Sequence, residues 1–394
     1  MNAAPGDWFE QRAPIEAAAQ LPNSGGVFCL DDSAARPILL ASAQNIRRAA
    51  IGRLAEPDEP SRRAQLREIA THIRWTATHS LFETDLRYWQ AARGIYPQDY
   101  RKRISAGSAW FLEVRRNDAA PHLAPMRSAS KQPDQCSLGP FPARRDAEAF
   151  ARMLEDLFDL CRYHHILVQT PHGQPCAYFD MGRCDAPCAG RMPMEDYRRA
   201  MDRALAFACG DRTAPIDALT VRMTEAAAAQ RFEQAASLRE TLARARSAVS
   251  HPAARWVGDF SQFRWLLLQR GGSRTRVAER RRIRPFLVRG NEIAISPPLT
   301  TAEAAEQFPA WRRWLESDGA GKAENRVTPG ADGPFGAGRG EFDRGDEIPA
   351  LVCRYLFRAA PPPGRFLRLA ELSDEPDWPR LAETLFAPAV KRAF

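Results

Sequence analysis

Apolar residues recur at helical spacing in the middle of the chain. Phe150, Met153, Leu154, Leu157 and Phe158 fall at i, i+3, i+4, i+7 and i+8, which lines one face of a helix. That helix delivers the chain into Cys161. Residues 193–250 read as two helical stretches with a break at 210–215. In the second, Met223, Ala227, Phe232, Ala235, Leu238 and Leu242 build a narrow seam with charged residues elsewhere. A seam that narrow fits a helical hairpin or coiled-coil pair; the alternative is an ordinary amphipathic helix laid on this protein's own core.

Short apolar runs bounded by turn residues mark strands. Residues 27–30 and 38–41 flank the turn Asp31-Asp32-Ser33 and predict a β-hairpin. A helix over about 43–54 follows, carrying Arg47, Arg48 and Arg53. Residues 61–93 are helical by pattern, with a strand near Ile73-Arg74-Trp75. Residues 109–114 predict another strand, followed by a polar, Pro-containing stretch to about 137. From 255 the pattern turns to β, with runs at 263–268 and 285–288 on either side of the basic stretch Arg280, Arg281, Arg282, Ile283 and Arg284. Residues 318–347 are Gly-rich, charged and nearly free of large apolar side chains, and read as a disordered insertion. A run over 350–357 predicts a last strand before a Pro-rich turn and a short terminal helix.

The fold class expected is α+β, with no internal repeat. Its expected segments are a small α+β domain over 1–100, a connecting β and loop region over 101–150, and a Cys-rich module over 151–200. A helical hairpin over 201–250 and a mixed β/α region over 251–394 complete it.

Composition narrows the functional classes. The 394 residues are 44% hydrophobic, enough for packed cores in two or three domains of about 100–200 residues each. Wholesale disorder and collagen-like architecture are excluded. No apolar run nears the ~18 residues of a membrane span, and the N-terminus lacks the basic start and apolar core of a secretory signal. Eight cysteines in a chain this long do not make a disulfide scaffold. The chain therefore reads as soluble and cytoplasmic, with no membrane partner. Its net charge is +8, from 56 Lys+Arg against 48 Asp+Glu, and nearly all of the positive charge is arginine. Arginine's planar fork suits phosphate; a GC-rich genome writing Arg for Lys is the plain alternative.

The strongest chemical signal is a cysteine cluster. Cys161, Cys176, Cys184 and Cys188 lie within 28 residues, spaced C-x14-C-x7-C-x3-C. Four thiolates suit a tetrahedral zinc or a four-iron cubane. Pro171, Gly173, Pro175, Gly182, Pro187 and Gly190 supply the turns of a ligand loop. Zinc modules usually show two close cysteine pairs, and here only Cys184 and Cys188 are close, which favours iron–sulfur with zinc as the alternative. His164, His165 and His172 lie in the same loop as substitute ligands.

Several of these segments together resemble a family. Gly139-Pro140-Phe141-Pro142, the helix ending in Leu157-Phe158-Asp159-Leu160-Cys161, Gln174-Pro175-Cys176-Ala177-Tyr178 and the run from Met181 to Gly190 resemble the UvrC subunit of bacterial nucleotide-excision repair. Residues 223–246, with Arg231-Phe232-Glu233-Gln234-Ala235-Ala236-Ser237-Leu238-Arg239, resemble that family's UVR motif. The resemblance implies a 4Fe–4S cluster on Cys161, Cys176, Cys184 and Cys188. It also implies UvrB, or another UVR-motif protein, as a partner met through Phe232, Ala235, Leu238 and Leu242.

The N-terminal segment resembles the GIY-YIG nuclease domain in layout, with most working residues replaced. The family's two motif tyrosines fall on Phe28 and Leu39, its lysine on Ser42, a later arginine on Ala49 and the helix-closing tyrosine on Arg53. Asn45, Arg47 and Arg48 fit the family's helix. Phe28 and Leu39 have no hydroxyl with which to move a proton. Glu83 falls on the family's metal carboxylate, and a solvated helix residue is the other reading of it. The residues after the UVR motif show no carboxylate set of a second nuclease, and residues 256–290 resemble a remnant of the link to one. No catalytic residue is assigned. The expected function is a non-catalytic UvrC-like repair protein that binds a UVR partner. DNA is a further expected partner, through Arg47, Arg48, Arg53, Arg280, Arg281, Arg282 and Arg284, or these arginines are solvated surface charges. One alternative is a metal-dependent endonuclease rebuilt around Glu83, with Asp85 and a base from His72 or His79. An iron–sulfur redox sensor is the other.

Overall fold

The computed structural model describes residues 9–55, 65–104, 109–129, 134–210, 212–250, 254–271, 282–317, 340–341, 347–357 and 364–386. The chain forms two compact units. One combines residues 1–106, 264–341 and 358–394, and the other combines 107–263 and 342–357. The expected N-terminal domain and most of the C-terminal region thus share one unit. The architecture is mixed α+β, with small antiparallel sheets and a helical hairpin.

In the first unit, β1 (Gln11–Pro14), β2 (Gly26–Asp31), β3 (Pro37–Ala43) and β4 (His72–Ala77) form a sheet in the order β1-β4-β2-β3. The predicted hairpin is β2 and β3, and the strand predicted near residue 74 is β4. Strand β2 is central and buried along its whole length, so its apolar run shows no alternation. Gly26 is required where it stands: a Cβ there would lie 2.2 Å from the Thr76 carbonyl oxygen across the sheet. Helix α1 (Ile46–Leu54) starts later than expected because Ala43 closes β3. Asn45 caps α1 by accepting from the Arg48 amide at 2.9 Å. Helix α2 (Leu81–Ile95) is capped by Ser80, which accepts from the Glu83 amide at 3.1 Å.

The second unit carries a sheet of β5 (Trp110–Arg115), β6 (Ala124–Met126), β7 (Gln135–Phe141) and β8 (Gly258–Asp259), in the order β6-β5-β7-β8. Strand β7 falls at the end of the polar stretch, where Gly139 and Pro140 hide it from a strand pattern. The amphipathic helix is α3 (Arg144–Leu157). Residues 193–250 hold three helices rather than two: α4 (Met194–Cys209), α5 (Thr213–Ala228) and α6 (Phe232–Ser250). The extra reversal turns on Gln230, whose φ is +57°. Leu219, Leu242 and Ala245 of α5 and α6 share one core with Phe150, Leu154 and Leu205. The run over 350–357, expected as a strand, is part of a helix, Glu347–Leu356. Ile348, Leu351, Val352 and Tyr355 are all buried at helical spacing, but the helix is covered almost all round, so its apolar run mimics a buried strand.

The remainder of the first unit is a second antiparallel sheet, β9 (Arg264–Gly271), β10 (Arg282–Arg289), β11 (Glu292–Ile295), β12 (Gly340–Glu341) and β13 (Arg365–Arg368), in the order β12-β11-β10-β9-β13. Helices α7 (Thr301–Glu316) and α8 (Trp378–Phe386) cover it, with Phe308 and Trp311 against Trp378. The insertion expected at 318–347 lies outside the described residues apart from β12 and Glu347. Among the described residues, no helix is long and apolar enough to cross a membrane.

Helix α2 meets this second sheet through two neighbouring side chains. Phe82 packs edge-on against Phe286 and Phe366, with ring centroids 5.2 and 6.2 Å away. Glu83, 1% exposed, accepts from Arg284 Nη2 at 2.8 Å. Removing one partner of a buried ion pair strands the other charge in a poor solvent. Arg284→Met is therefore expected to lower unfolding free energy by about 3–5 kcal/mol, and Glu83→Leu/Arg284→Met to recover most of that loss in urea titrations.

Candidate functional site

The cysteine loop begins where α3 ends. Asp159 takes a left-handed turn (φ +53°), and Cys161 follows. The Cys161 amide donates to the Tyr197 hydroxyl at 3.3 Å, which fastens the start of the loop to α4. The loop then closes on itself. The Gly173 amide donates to the Cys188 carbonyl at 2.9 Å, and the Thr170 hydroxyl donates to the Pro187 carbonyl at 3.1 Å. A Cβ on Gly173 would crowd that Cys188 carbonyl at 3.0 Å, so the close approach favours glycine. Ala186 and Gly190, at φ +50° and +69°, bend the chain around Cys188.

Cys161, Cys184 and Cys188 are buried, Cys176 is half-buried, and all four are free thiols. Burial pushes the Cys161 thiol up to about 11, with the charges of Cys184, Cys188 and Cys176 adding to the rise. Burial also raises Cys184 and Cys188, and each feels Cys176. The four thiols lie on one loop and influence one another electrostatically, and as thiolates they would offer the soft donors of a metal-ligand set. Among the described residues, no three His, Cys, Asp or Glu side chains stand close enough together to hold an ion as placed. His164, His165 and His172 are exposed, and His164 stacks on His122 at 3.6 Å between ring centroids.

Two residues that the sequence patterns did not single out support this loop. Tyr197 is one. Asp156 is the other: it pairs with Arg162 of the loop and, at 2.9 Å, with Arg244 of α6. An aspartate beside an apolar helix stripe reads as an ordinary surface residue, so its bridging role had no sequence signal.

The hairpin of α5 and α6 divides the expected partner residues. Leu242 is 3% exposed in the unit's own core, with Leu238 packed against the same core, so the seam faces inward there. Ala235 is half-buried. Phe232, by contrast, is 68% exposed, and Val221 is 53% exposed.

In the N-terminal segment, Glu83 fits neither of the two sequence readings. Its carboxylate is neither solvated nor open to an ion. Oε1 takes the Arg284 guanidinium and Oε2 accepts from the His79 amide at 3.0 Å. Arg284 is correspondingly committed to Glu83, and at 13% side-chain exposure it does not offer its charge to a phosphate. Phe28 is buried in the sheet, 1% exposed. Of the remaining arginines, Arg47 is half-buried and its Nε donates to the Leu21 carbonyl at 2.6 Å. Arg48, Arg53 and Arg282 are exposed, and Arg280 and Arg281 lie outside the described residues.

Comparison with known proteins bears on this arrangement directly. Residues 109–207 match the UvrC/Cho excinuclease middle domain, and residues 213–248 match the UvrB/uvrC motif. The chain carries the middle domain and UVR motif of the UvrC family. Among curated relatives, the UvrABC system protein C of Moorella thermoacetica is 25% identical over 228 residues, 58% of this chain and 36% of that protein. The Neisseria meningitidis serogroup A protein of the same name is 27% identical over 222 residues, 56% of this chain and 36% of its own length. That of Halobacterium salinarum is 33% identical over 147 residues, 36% of this chain and 24% of its own length. The matched stretches thus span between about a quarter and little more than a third of these relatives' lengths. No solved structure matches the chain. The segment matching the UvrC middle domain lies within the second compact unit, and α5 and α6 form the hairpin matched by the UVR motif.

Since Leu242 lies in the core and Phe232 lies in solvent, the two seam residues should respond differently. Leu242→Ala is expected to cost about 2–5 kcal/mol of stability, and Phe232→Ala less than about 0.5 kcal/mol, by urea denaturation of the two variants.

Proposed function

We propose that this chain is a non-catalytic UvrC-like protein of nucleotide-excision repair that binds a UvrB-type partner through the outer face of its UVR hairpin. The observation that carries the non-catalytic reading is the Glu83–Arg284 pair. A hydrolytic metal site needs a carboxylate free to take a cation and a group able to move a proton. Here an internal guanidinium takes the carboxylate, and phenylalanine and leucine stand where the resembled family has tyrosines.

Docking follows from the exposure of the hairpin. The face bearing Leu242 is spent on the middle domain, so a second helical hairpin has the Phe232 face left to it. An exposed aromatic at the rim of a helix pair is the kind of anchor that fills a partner's pocket. Exposed Arg48 and Arg53 on one unit add the phosphate contacts of a sequence-independent DNA interaction.

Cys161, Cys176, Cys184 and Cys188 hold a 4Fe–4S cluster in this reading, with zinc as the other ion their chemistry suits. Such a group would supply a cross-link at the junction of α3, the loop and α4, and through Asp156 it would steady the hairpin. Its support is the presence of four free thiols on one turn-rich loop within the segment that matches the UvrC middle domain.

In co-purification with UvrB, Phe232→Asp is expected to reduce retained UvrB at least tenfold while leaving the melting temperature unchanged. Retention equal to the unaltered chain would contradict docking through this face. For the cluster, Cys184→Ala is expected to remove iron and its visible absorption and to lower the melting temperature, because bound metal contributes folding free energy. Unchanged iron content would contradict the assignment.

A further inference from the structure

Two more cysteines meet at the far end of α4 from the ligand loop. Cys209 is the last residue of α4 and is exposed. Cys136 lies on β7, 1% exposed, in the same core as Leu138 and Ala208. The fold brings them together by an identifiable route. Leu138 faces Asp259 of β8 across the sheet, and Cys136 is two positions along the same face of β7. Arg212, just beyond α4, donates to the carbonyls of Ala254 (2.8 Å) and Val257 (3.5 Å), which pins the helix end to the segment entering β8. The result is a direct thiol pair. Cys136 S–H donates to Cys209 Sγ, which also accepts from the Asp259 backbone N–H. Both thiols are free, and Cys209 is the one solvent can reach. About twelve helical residues, roughly 18 Å of α4, separate Cys209 from Tyr197 at the ligand loop.

We infer that Cys136 and Cys209 form an oxidisable dithiol that reacts with small hydroperoxides and closes as a reversible disulfide between β7 and the end of α4. The hydrogen bond from Cys136 is the main influence lowering the Cys209 thiol, against burial and the Asp259 carboxylate, and Arg116 also favours the thiolate. Donating that same bond, and burial, push Cys136 upward. Exposure sets the roles: Cys209 is the thiol a hydroperoxide can reach from solvent, and Cys136 is buried. The Cys209 thiolate attacks the distal peroxide oxygen, the O–O bond breaks, and the departing oxygen leaves as water or alcohol once protonated. Cys209 is then a sulfenic acid. The Cys136 sulfur attacks the sulfenic sulfur, the S–O bond breaks, and hydroxide leaves with the Cys136 proton as a second water. Two thiols are oxidised to one disulfide, and the peroxide is reduced by two electrons. The disulfide would tie the sheet of the middle domain to the helix end that leads into the UVR hairpin. This inference does not depend on the repair reading of the chain.

The test treats the anaerobically purified full chain with equimolar hydrogen peroxide, alkylates it in denaturant, and maps unreduced peptides by mass spectrometry. The expected result is a peptide pair joined through Cys136 and Cys209, lost on treatment with dithiothreitol and absent from Cys209→Ser. With Cys136→Ala, dimedone is expected to label Cys209, because the sulfenic acid then has no resolving thiol. Recovery of Cys136 as a free, alkylated thiol after peroxide, or its linkage to a cysteine other than Cys209, would overturn the proposal.

Discussion

A carboxylate buried at 1% exposure has to be neutralised, and in this molecule the neutralising charge is Arg284. That constraint couples residues 201 positions apart and fixes α2 against the second sheet of its unit. In the proposed reading it also keeps the N-terminal segment from binding a catalytic metal. A divalent cation and a guanidinium compete for the same oxygens, and the guanidinium is covalently part of the fold. Phe82, beside Glu83, adds its packing on Phe286 and Phe366, so prising the pair apart would also disturb an aromatic contact. Phe28 and Leu39, at the positions where the resembled nuclease family has tyrosines, fit the proposed non-catalytic reading, since neither carries a hydroxyl to move a proton.

The middle unit is organised around a different demand, that of holding an irregular loop in place. Such a loop has no ladder of its own, so its backbone groups need partners elsewhere. The Tyr197 hydroxyl, the Thr170 hydroxyl and the Cys188 carbonyl provide them. Asp156 then joins the loop to the UVR hairpin through Arg162 and Arg244. One aspartate therefore links the proposed cluster module to the proposed docking element, and the hairpin's inner face shares its core with the sheet. Phe232 and Val221 remain outward.

Much of this was legible in the sequence where local physics dominates. The 3.6-residue stripe of α3, the β2–β3 hairpin and the turn-rich cysteine loop each follow from neighbouring residues, and the family matches agree over the middle domain and UVR motif. The rest depended on partners far along the chain. Residues 350–357 are apolar on nearly every side, so periodicity could not separate helix from strand. Strand β7 was masked by its Gly139-Pro140. Arg284 sits in a basic run that reads as a phosphate-binding surface, and nothing local betrays that its partner is Glu83. The inward direction of Leu242 was equally hidden, because a seam does not state which body it faces.

The central claim, that the nuclease-like segment is closed by its own arginine and does not cut, is tested most directly by a nicking assay. Anaerobically purified chain, UvrB and a supercoiled lesion-bearing plasmid are combined with Mg²⁺ or Mn²⁺, and open-circular product is scored. The account predicts no nicking above the level of UvrB alone, with UvrB still bound. Nicking that disappears in Glu83→Ala would contradict it, since Glu83 would then be serving a metal rather than Arg284.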